Sequence, residues 1–296
     1  MNKALFTGCG TALITPFYDD RVDFEALGRL IDMQLQGGAD ALVVCGTTGE
    51  PATLTQEEKD SILEFALKRV GGRIPVIAGT GTNCTKITAA QSLRAQGLGA
   101  DALLVVTPYY NKATQQGLLA HFTAAADAVQ IPVILYNVPS RTGVNLLPET
   151  AARLMEHENI AGIKEASGDL SQAAELARLC ADSAALYAGN DDQALPFLSL
   201  GAQGVISVVS NAAPGLMRRL VSSWFEGDTE ACRAVQLSLL PLIKLLFSEV
   251  NPIPVKAALE IMGICRADVR LPLTRFSEEK WTLLRAEMSR LGIADG

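Results

Sequence analysis

The chain has 296 residues, 49% of them hydrophobic and only 5% aromatic, a balance that suits one or two globular units with a largely aliphatic interior. A formal net charge of −7 with no basic run argues against a nucleic-acid partner. No uninterrupted apolar run reaches the ~18 residues of a membrane span, and the start of the chain lacks a secretory pattern, so the cytoplasm is the expected compartment.

In chain order, strand-like apolar runs fall at 9–15, 41–46, 74–79, 101–107, 132–136, 160–165, 185–188 and 203–208. Segments with apolar residues at three- and four-residue spacing separate them, as in Phe24, Leu27, Leu30, Ile31 and Leu35, or Ile62, Leu63, Phe65, Ala66 and Val70; these are predicted helices. Thr55 ahead of Glu57 and Glu58, Asp169 with Ser171, and Pro148 with Glu149 mark helix starts, while Gly37-Gly38, Gly71-Gly72 and Gly97 mark stops. Strands that are apolar throughout, each followed by a crossover helix, imply parallel pairing with both faces covered.

Eight such units, with no Gly-x-Gly-x-x-Gly after the first strand, predict an α/β fold, a (β/α)8 TIM barrel over residues 1–227, rather than an open doubly wound sheet. Gly79-Thr80-Gly81 is expected to be a loop whose backbone comes close to another group. Apolar-periodic stretches near 229–248, 253–263 and 277–291 predict a three-helix C-terminal extension, residues 228–296, packed on the barrel. Pro252 and Pro254 are expected to separate the first two helices, and Pro272 precedes the third.

Cys9, Cys45, Cys84, Cys180, Cys232 and Cys265 are scattered, with no Cys-x-x-Cys pair, and suit small buried residues in a reducing compartment. His121 and His157 fall in predicted helices away from any strand end. A histidine metal site or a Ser-His-Asp triad is therefore not expected.

A parallel barrel carries its chemistry at the carboxyl ends of its strands. One of these ends is anomalous: the run 160–165 places Lys164 where a buried strand should hold an aliphatic residue. Strand alternation sets Lys164, Gly162 and Ile160 on one face and Ala161, Ile163 and Glu165 on the other, with Gly162 leaving room beside the lysine. Burial would lower the lysine pKa and expose the lone pair that attacks carbonyl carbon.

The other strand ends carry Thr47 and Thr48 framed by Gly46 and Gly49, then Pro108-Tyr109-Tyr110, Tyr136 followed by Arg141, Gly189-Asn190-Asp191, and Ile206-Ser207. A lysine, a tyrosine, paired hydroxyls and an arginine on one rim suit a keto acid held by its carboxylate and attacked at its carbonyl. The amine would add to the ketone, loss of water would leave an iminium, and deprotonation would give an enamine. Tyr136 and Thr47 are the candidates for moving protons, and Thr48 with the turn amides for binding the carboxylate. This chemistry asks for no metal and no cofactor beyond the covalent lysine adduct.

Gly46-Thr47-Thr48-Gly49-Glu50, Pro108-Tyr109-Tyr110, Tyr136-Asn137-Val138-Pro139 with Arg141-Thr142-Gly143, and Gly162-Ile163-Lys164-Glu165-Ala166-Ser167-Gly168-Asp169 together resemble the dihydrodipicolinate synthase family, within the lysine-Schiff-base aldolase superfamily. Gly189-Asn190-Asp191-Asp192 and Val255-Lys256-Ala257-Ala258-Leu259 extend the resemblance over nearly the whole chain.

The resemblance implies a lyase of the lysine and diaminopimelate branch that joins pyruvate, as a Schiff base on Lys164, to aspartate 4-semialdehyde. It implies that Tyr136 moves protons with Thr47 and with Tyr110 from a neighbouring subunit. Thr48 would bind the pyruvate carboxylate and Arg141 the semialdehyde carboxylate, with Gly189 and Ile206 lining the pocket, in a homotetramer built from dimers. N-acetylneuraminate lyase and the 2-keto-3-deoxy sugar acid aldolases share the lysine and tyrosine, but Ser140-Arg141-Thr142-Gly143 suits a second carboxylate better than a polyol. A catalytically silent keto-acid-binding barrel would be expected to lack Lys164 or Tyr136.

In lysine-inhibited members a regulatory pocket uses a serine, two histidines, an asparagine, a glutamate and a tyrosine. The aligned residues here are Pro51, Gln56, Lys59, Asn83, Ile87 and Tyr109, so only Asn83 and Tyr109 are kept. Weak or absent inhibition by lysine is expected.

Overall fold

The computed structural model describes residues 4–180 and 184–294. Eight strands follow the predicted runs closely: β1 Gly8–Ala12, β2 Ala41–Val44, β3 Val76–Gly79, β4 Ala102–Val106, β5 Val133–Asn137, β6 Ile160–Glu165, β7 Ala185–Ala188 and β8 Gly204–Ser207. All pair in parallel with their sequence neighbours, and β1 closes the barrel by pairing with both β8 and β2. A short hairpin, Phe17–Tyr18 with Arg21–Val22, follows β1.

The period of two sorts side chains into two cores. Val43, Ile77, Leu104, Ile134, Tyr187 and Ile206 fill the barrel, whereas Leu42, Val44, Leu103, Val105, Leu135 and Ile163 face the helices. Phe6, just ahead of β1, stacks on Tyr187 with ring centroids 4.5 Å apart, and the Tyr187 hydroxyl donates to the Phe6 carbonyl at 2.8 Å.

Barrel helices are α1 Phe24–Gln36, α2 Gln56–Val70, α3 Thr85–Leu98, α4 Gln115–Asp127, α5 Pro148–Leu154, α6 Leu170–Cys180, α7 Ala194–Ser199 and α8 Pro214–Phe225. Thr55 and Glu58 form a reciprocal capping box on α2, and Gly71 ends that helix in the left-handed region. At α6 the cap is Asp169, whose carboxylate accepts the Ser171 amide at 2.8 Å.

Gly97 does not stop α3. The helix runs through it to Leu98, and Gly99, with φ 100°, supplies the left-handed termination. Three more helices follow the barrel: α9 Thr229–Leu246, α10 Ile253–Ile261 and α11 Glu278–Arg290. α9 packs on α8 and α11. Pro254 is a first-turn residue of α10 rather than a separator, since a first-turn amide has no intrahelical acceptor to lose.

Strand β6 departs from simple alternation. Val133 pairs with Ile160 but Ile134 pairs with Gly162, so Ala161 is an extra residue at a bulge. Ile160 therefore joins Ile163 in the outer core instead of sharing a face with Lys164. Gly162 also serves a different end than expected. A Cβ there would come 2.5 Å from the Ala185 carbonyl oxygen, so the glycine lets β7 approach and does not open space beside the lysine. Likewise Gly79 and Gly81 admit other backbone, that of Cys45-Gly46 and of Val106, which a Cβ would meet at 2.3 and 2.4 Å.

Candidate active site

Lys164 is 4% exposed and points into the upper barrel, paired in register with Tyr136 on β5 and Tyr187 on β7. Its Nζ lies 4.5 Å from the centre of the Tyr136 ring. Burial lowers its pKa from 10.5 to about 8; Asp191 opposes the shift and Arg141 adds to it.

The neighbouring carboxylate in sequence does not neutralise Lys164. Glu165 points to the other face, where it accepts from the Asn137 side chain at 2.9 Å and from the Ser167 amide at 2.5 Å. Among the described residues no carboxylate lies within ion-pair distance of Lys164. The second buried lysine provides the contrast. Lys256, wholly buried, has its Nζ 2.5 Å from Glu50 Oε1 and donates to the Asp268 carbonyl at 2.8 Å; burial lowers its pKa, and Glu50 opposes that shift. Among the described residues, Lys164 is the buried lysine with no such carboxylate beside it.

Tyr136 is buried, and burial raises its pKa, while Arg141 and a hydrogen-bonding contact from Thr47 favour the phenolate. Thr47 thus meets Tyr136 and also lines a cavity of about 320 Å³ at the barrel mouth, together with Lys59, Tyr109, Arg141 and Asn251. Thr47–Gly49 form one 3-10 turn after β2. The buried Thr48 hydroxyl accepts from Asn251 Nδ2 at 2.9 Å, which leaves its own proton free for an incoming acceptor.

Arg141 sits in the single helical turn Pro139–Thr142 after β5, with its charge exposed at the cavity wall. Thr142 fixes that turn by donating to the Val138 and Val144 carbonyls at 3.2 and 3.0 Å. Ile206 is fully buried in the inner core beside Tyr136 and Tyr187. Gly189 is imposed by packing: its Cβ would meet the Ala166 methyl at 2.6 Å.

Tyr110 is not brought to this cluster within one chain. It lies on the rim, 84% exposed, with φ 79°. His121 is a packing residue, edge-on to Phe122 and bonded through Nδ1 to Thr85 at 2.9 Å, and His157 meets Asp127 at 3.0 Å. Among the described residues no group of acidic, cysteine and histidine side chains has metal-binding geometry.

Three contributors went unassigned in the sequence: Asn251, Asp191 and the Glu50–Lys256 pair. Asp191 ends β7's loop fully buried, accepting from Ser207 Oγ at 2.5 Å and from the Val208 and Val209 amides at 3.0 and 3.2 Å. A charged residue within an apolar segment, as at Lys256, was the available signal, but it does not reveal its partner.

The pattern of the Dihydrodipicolinate synthetase family matches residues 5–291. The chain belongs to that family. It is 52% identical over 292 residues to the 4-hydroxy-tetrahydrodipicolinate synthase of Caldicellulosiruptor bescii, covering 98% of this chain and 99% of the relative. Among solved structures, dihydrodipicolinate synthase from Thermotoga maritima superposes with a TM-score of 0.95 at 45% identity, over 98% of this chain and 99% of that one. The enzyme from Acinetobacter baumannii, solved in complex with pyruvate, gives a TM-score of 0.95 at 42% identity, over 97% and 99% of the two chains. Of the two lysines buried among the described residues, Lys164 and Lys256, only Lys256 has a carboxylate at ion-pair distance.

Proposed function

We propose that this protein is a 4-hydroxy-tetrahydrodipicolinate synthase, a lyase of the lysine and diaminopimelate branch. It condenses pyruvate with aspartate 4-semialdehyde. The observation that carries the reading is Lys164, buried without a carboxylate partner and set over Tyr136.

The neutral Nζ attacks the pyruvate ketone, and the carbinolamine loses water to an iminium. The iminium is the electron sink, so no separate cofactor enters the scheme. Loss of a methyl proton gives an enamine, whose carbon attacks the aldehyde carbon of the second substrate. The amino group of that substrate then adds to the iminium carbon, closes the ring and releases Lys164.

Tyr136 carries protons among these steps, coupled to Thr47, with Tyr110 of a second copy completing the relay. Thr48 and the turn amides hold the pyruvate carboxylate, Arg141 binds the semialdehyde carboxylate, and Gly189 and Ile206 shape the pocket. An 84% exposed Tyr110 beside an open cavity supports a site completed by a partner, in a cytoplasmic homotetramer assembled from dimers. Arg141 favours this reading over the sugar-acid lyases, whose substrates present hydroxyls there.

The test is borohydride reduction in the presence of pyruvate, followed by intact-protein mass spectrometry and peptide mapping, beside a turnover assay with aspartate 4-semialdehyde. An adduct on Lys164 with turnover is expected. An adduct without turnover would reassign the second substrate, and no adduct would leave a keto-acid-binding barrel.

A further inference from the structure

A single 3-10 turn takes its orientation from what surrounds it. The turn Thr47–Gly49 is held from several directions. Thr15 Oγ1 donates to the Gly49 carbonyl at 2.8 Å, and Asn251 reaches Thr48 from beyond α9. Glu50, which ends the turn in the left-handed region with φ 55°, sends its carboxylate the other way. Its Oε1 makes the 2.5 Å ionic contact with Lys256, at angles outside hydrogen-bond geometry, and its Oε2 accepts the Arg270 amide at 3.2 Å. The Lys256 ammonium also stands 4.0 Å from the centre of the Phe17 ring, and the Arg270 guanidinium 4.5 Å from it.

A wholly buried ion pair contributes little net stability, because desolvation of both charges offsets their attraction, and a well-packed apolar pair would serve a core at least as well. What an ion pair supplies is a fixed direction. Glu50 follows Gly49 immediately, so a displacement of its carboxylate is transmitted to Thr48.

We infer that Glu50 and Lys256 are positioning residues for the carboxylate subsite: helix α10 uses this ion pair to fix the Thr47–Gly49 turn where Thr48 meets the keto acid. Neither touches a reacting atom. The inference rests on the reading of Thr48 as the pyruvate carboxylate site, and it makes the segment after the barrel part of the active site's architecture.

The test uses the full-length protein with Glu50→Asp, which keeps the charge but shortens its reach by one methylene, the double variant Glu50→Gln/Lys256→Met, and Thr48→Val. KM is measured for each substrate, and kcat is expressed per site trapped by pyruvate and borohydride, so that misfolded protein does not count. Both Glu50 variants are expected to raise the pyruvate KM tenfold or more, with the aspartate semialdehyde KM within threefold of the parent and any loss of kcat per trapped site, through Thr47 on the same turn, smaller than the rise in the pyruvate KM. An unchanged pyruvate KM, or parallel rises for both substrates, would overturn the inference. If Thr48→Val raises the pyruvate KM and the Glu50 variants do not, the positioning role fails alone; if Thr48→Val has no effect, the reading of Thr48 fails and the inference with it.

Discussion

Lys164 and Tyr136 are register partners on adjacent parallel strands, with the lysine Nζ 4.5 Å from the tyrosine ring centre. The ring face can stabilise a cation by about 0.5–2 kcal/mol, which in the proposed mechanism favours the iminium, while the hydroxyl is proposed to handle protons. Tyr136→Phe separates these two contributions. It is expected to lower kcat by about 10²–10³ while pyruvate still gives a reduced adduct at equilibrium. Loss of the adduct itself, in the mass spectrum, would argue against the division.

In the proposed mechanism Lys164 reacts as the neutral amine, and its pKa is lowered by burial to about 8. The rate of adduct formation at limiting pyruvate is therefore expected to rise with pH and reach half its maximum near pH 8. Stopped-flow measurement of adduct formation checks this; a half-point near 10.5 would show an unperturbed lysine.

The same shift affects stability. The folded pKa lies below the unfolded 10.5, so the cost of burying the charge is fully present below about pH 8 and disappears as pH rises through 10.5. Lys164→Met is expected to stabilise the fold at pH 7 by on the order of 3 kcal/mol, an upper figure from 1.36 kcal/mol per pKa unit. Denaturant unfolding should show that gain, and show it shrinking above pH 8.

Arg141 stands at the cavity wall on the turn after β5, a different element from the turn after β2 that carries Thr48. Arg141→Ala is expected to raise the KM for aspartate 4-semialdehyde at least tenfold and to change the pyruvate KM by less than threefold. Equal rises in the two constants would place the guanidinium elsewhere in the cycle.

Lysine regulation can be checked with steady-state rates. Pro51, Lys59 and Tyr109 line the cavity, while Ile87 lies half exposed and offers no charge for a ligand ammonium. Millimolar lysine is expected to change the rate by less than twofold. Strong sub-millimolar inhibition would overturn this.

The barrel was legible because its signals are local. Apolar runs bounded by polar rims and glycines specify eight strands, and capping at Thr55 or a proline at Pro148 specifies helix starts within one turn. The bulge at Ala161 was not legible, since an extra residue alters no composition and shows only in the pairing with β5. Gly97 misled for a similar reason: a glycine inside a helix and one that ends it are alike in sequence, and the backbone angle at Gly99 decides.

The sequence by itself determined the alternating barrel and which residue types gather at its rim, because strand period and crossover connection leave little freedom in where each strand end points. The tertiary structure alone decided which buried lysine has a carboxylate partner. Lys164 and Lys256 are both buried, but Glu50 is in ion-pair contact with Lys256, whereas the carboxylate beside Lys164, Glu165, is turned away by the pleat of its own strand. That difference lies in partners brought together from distant parts of the chain.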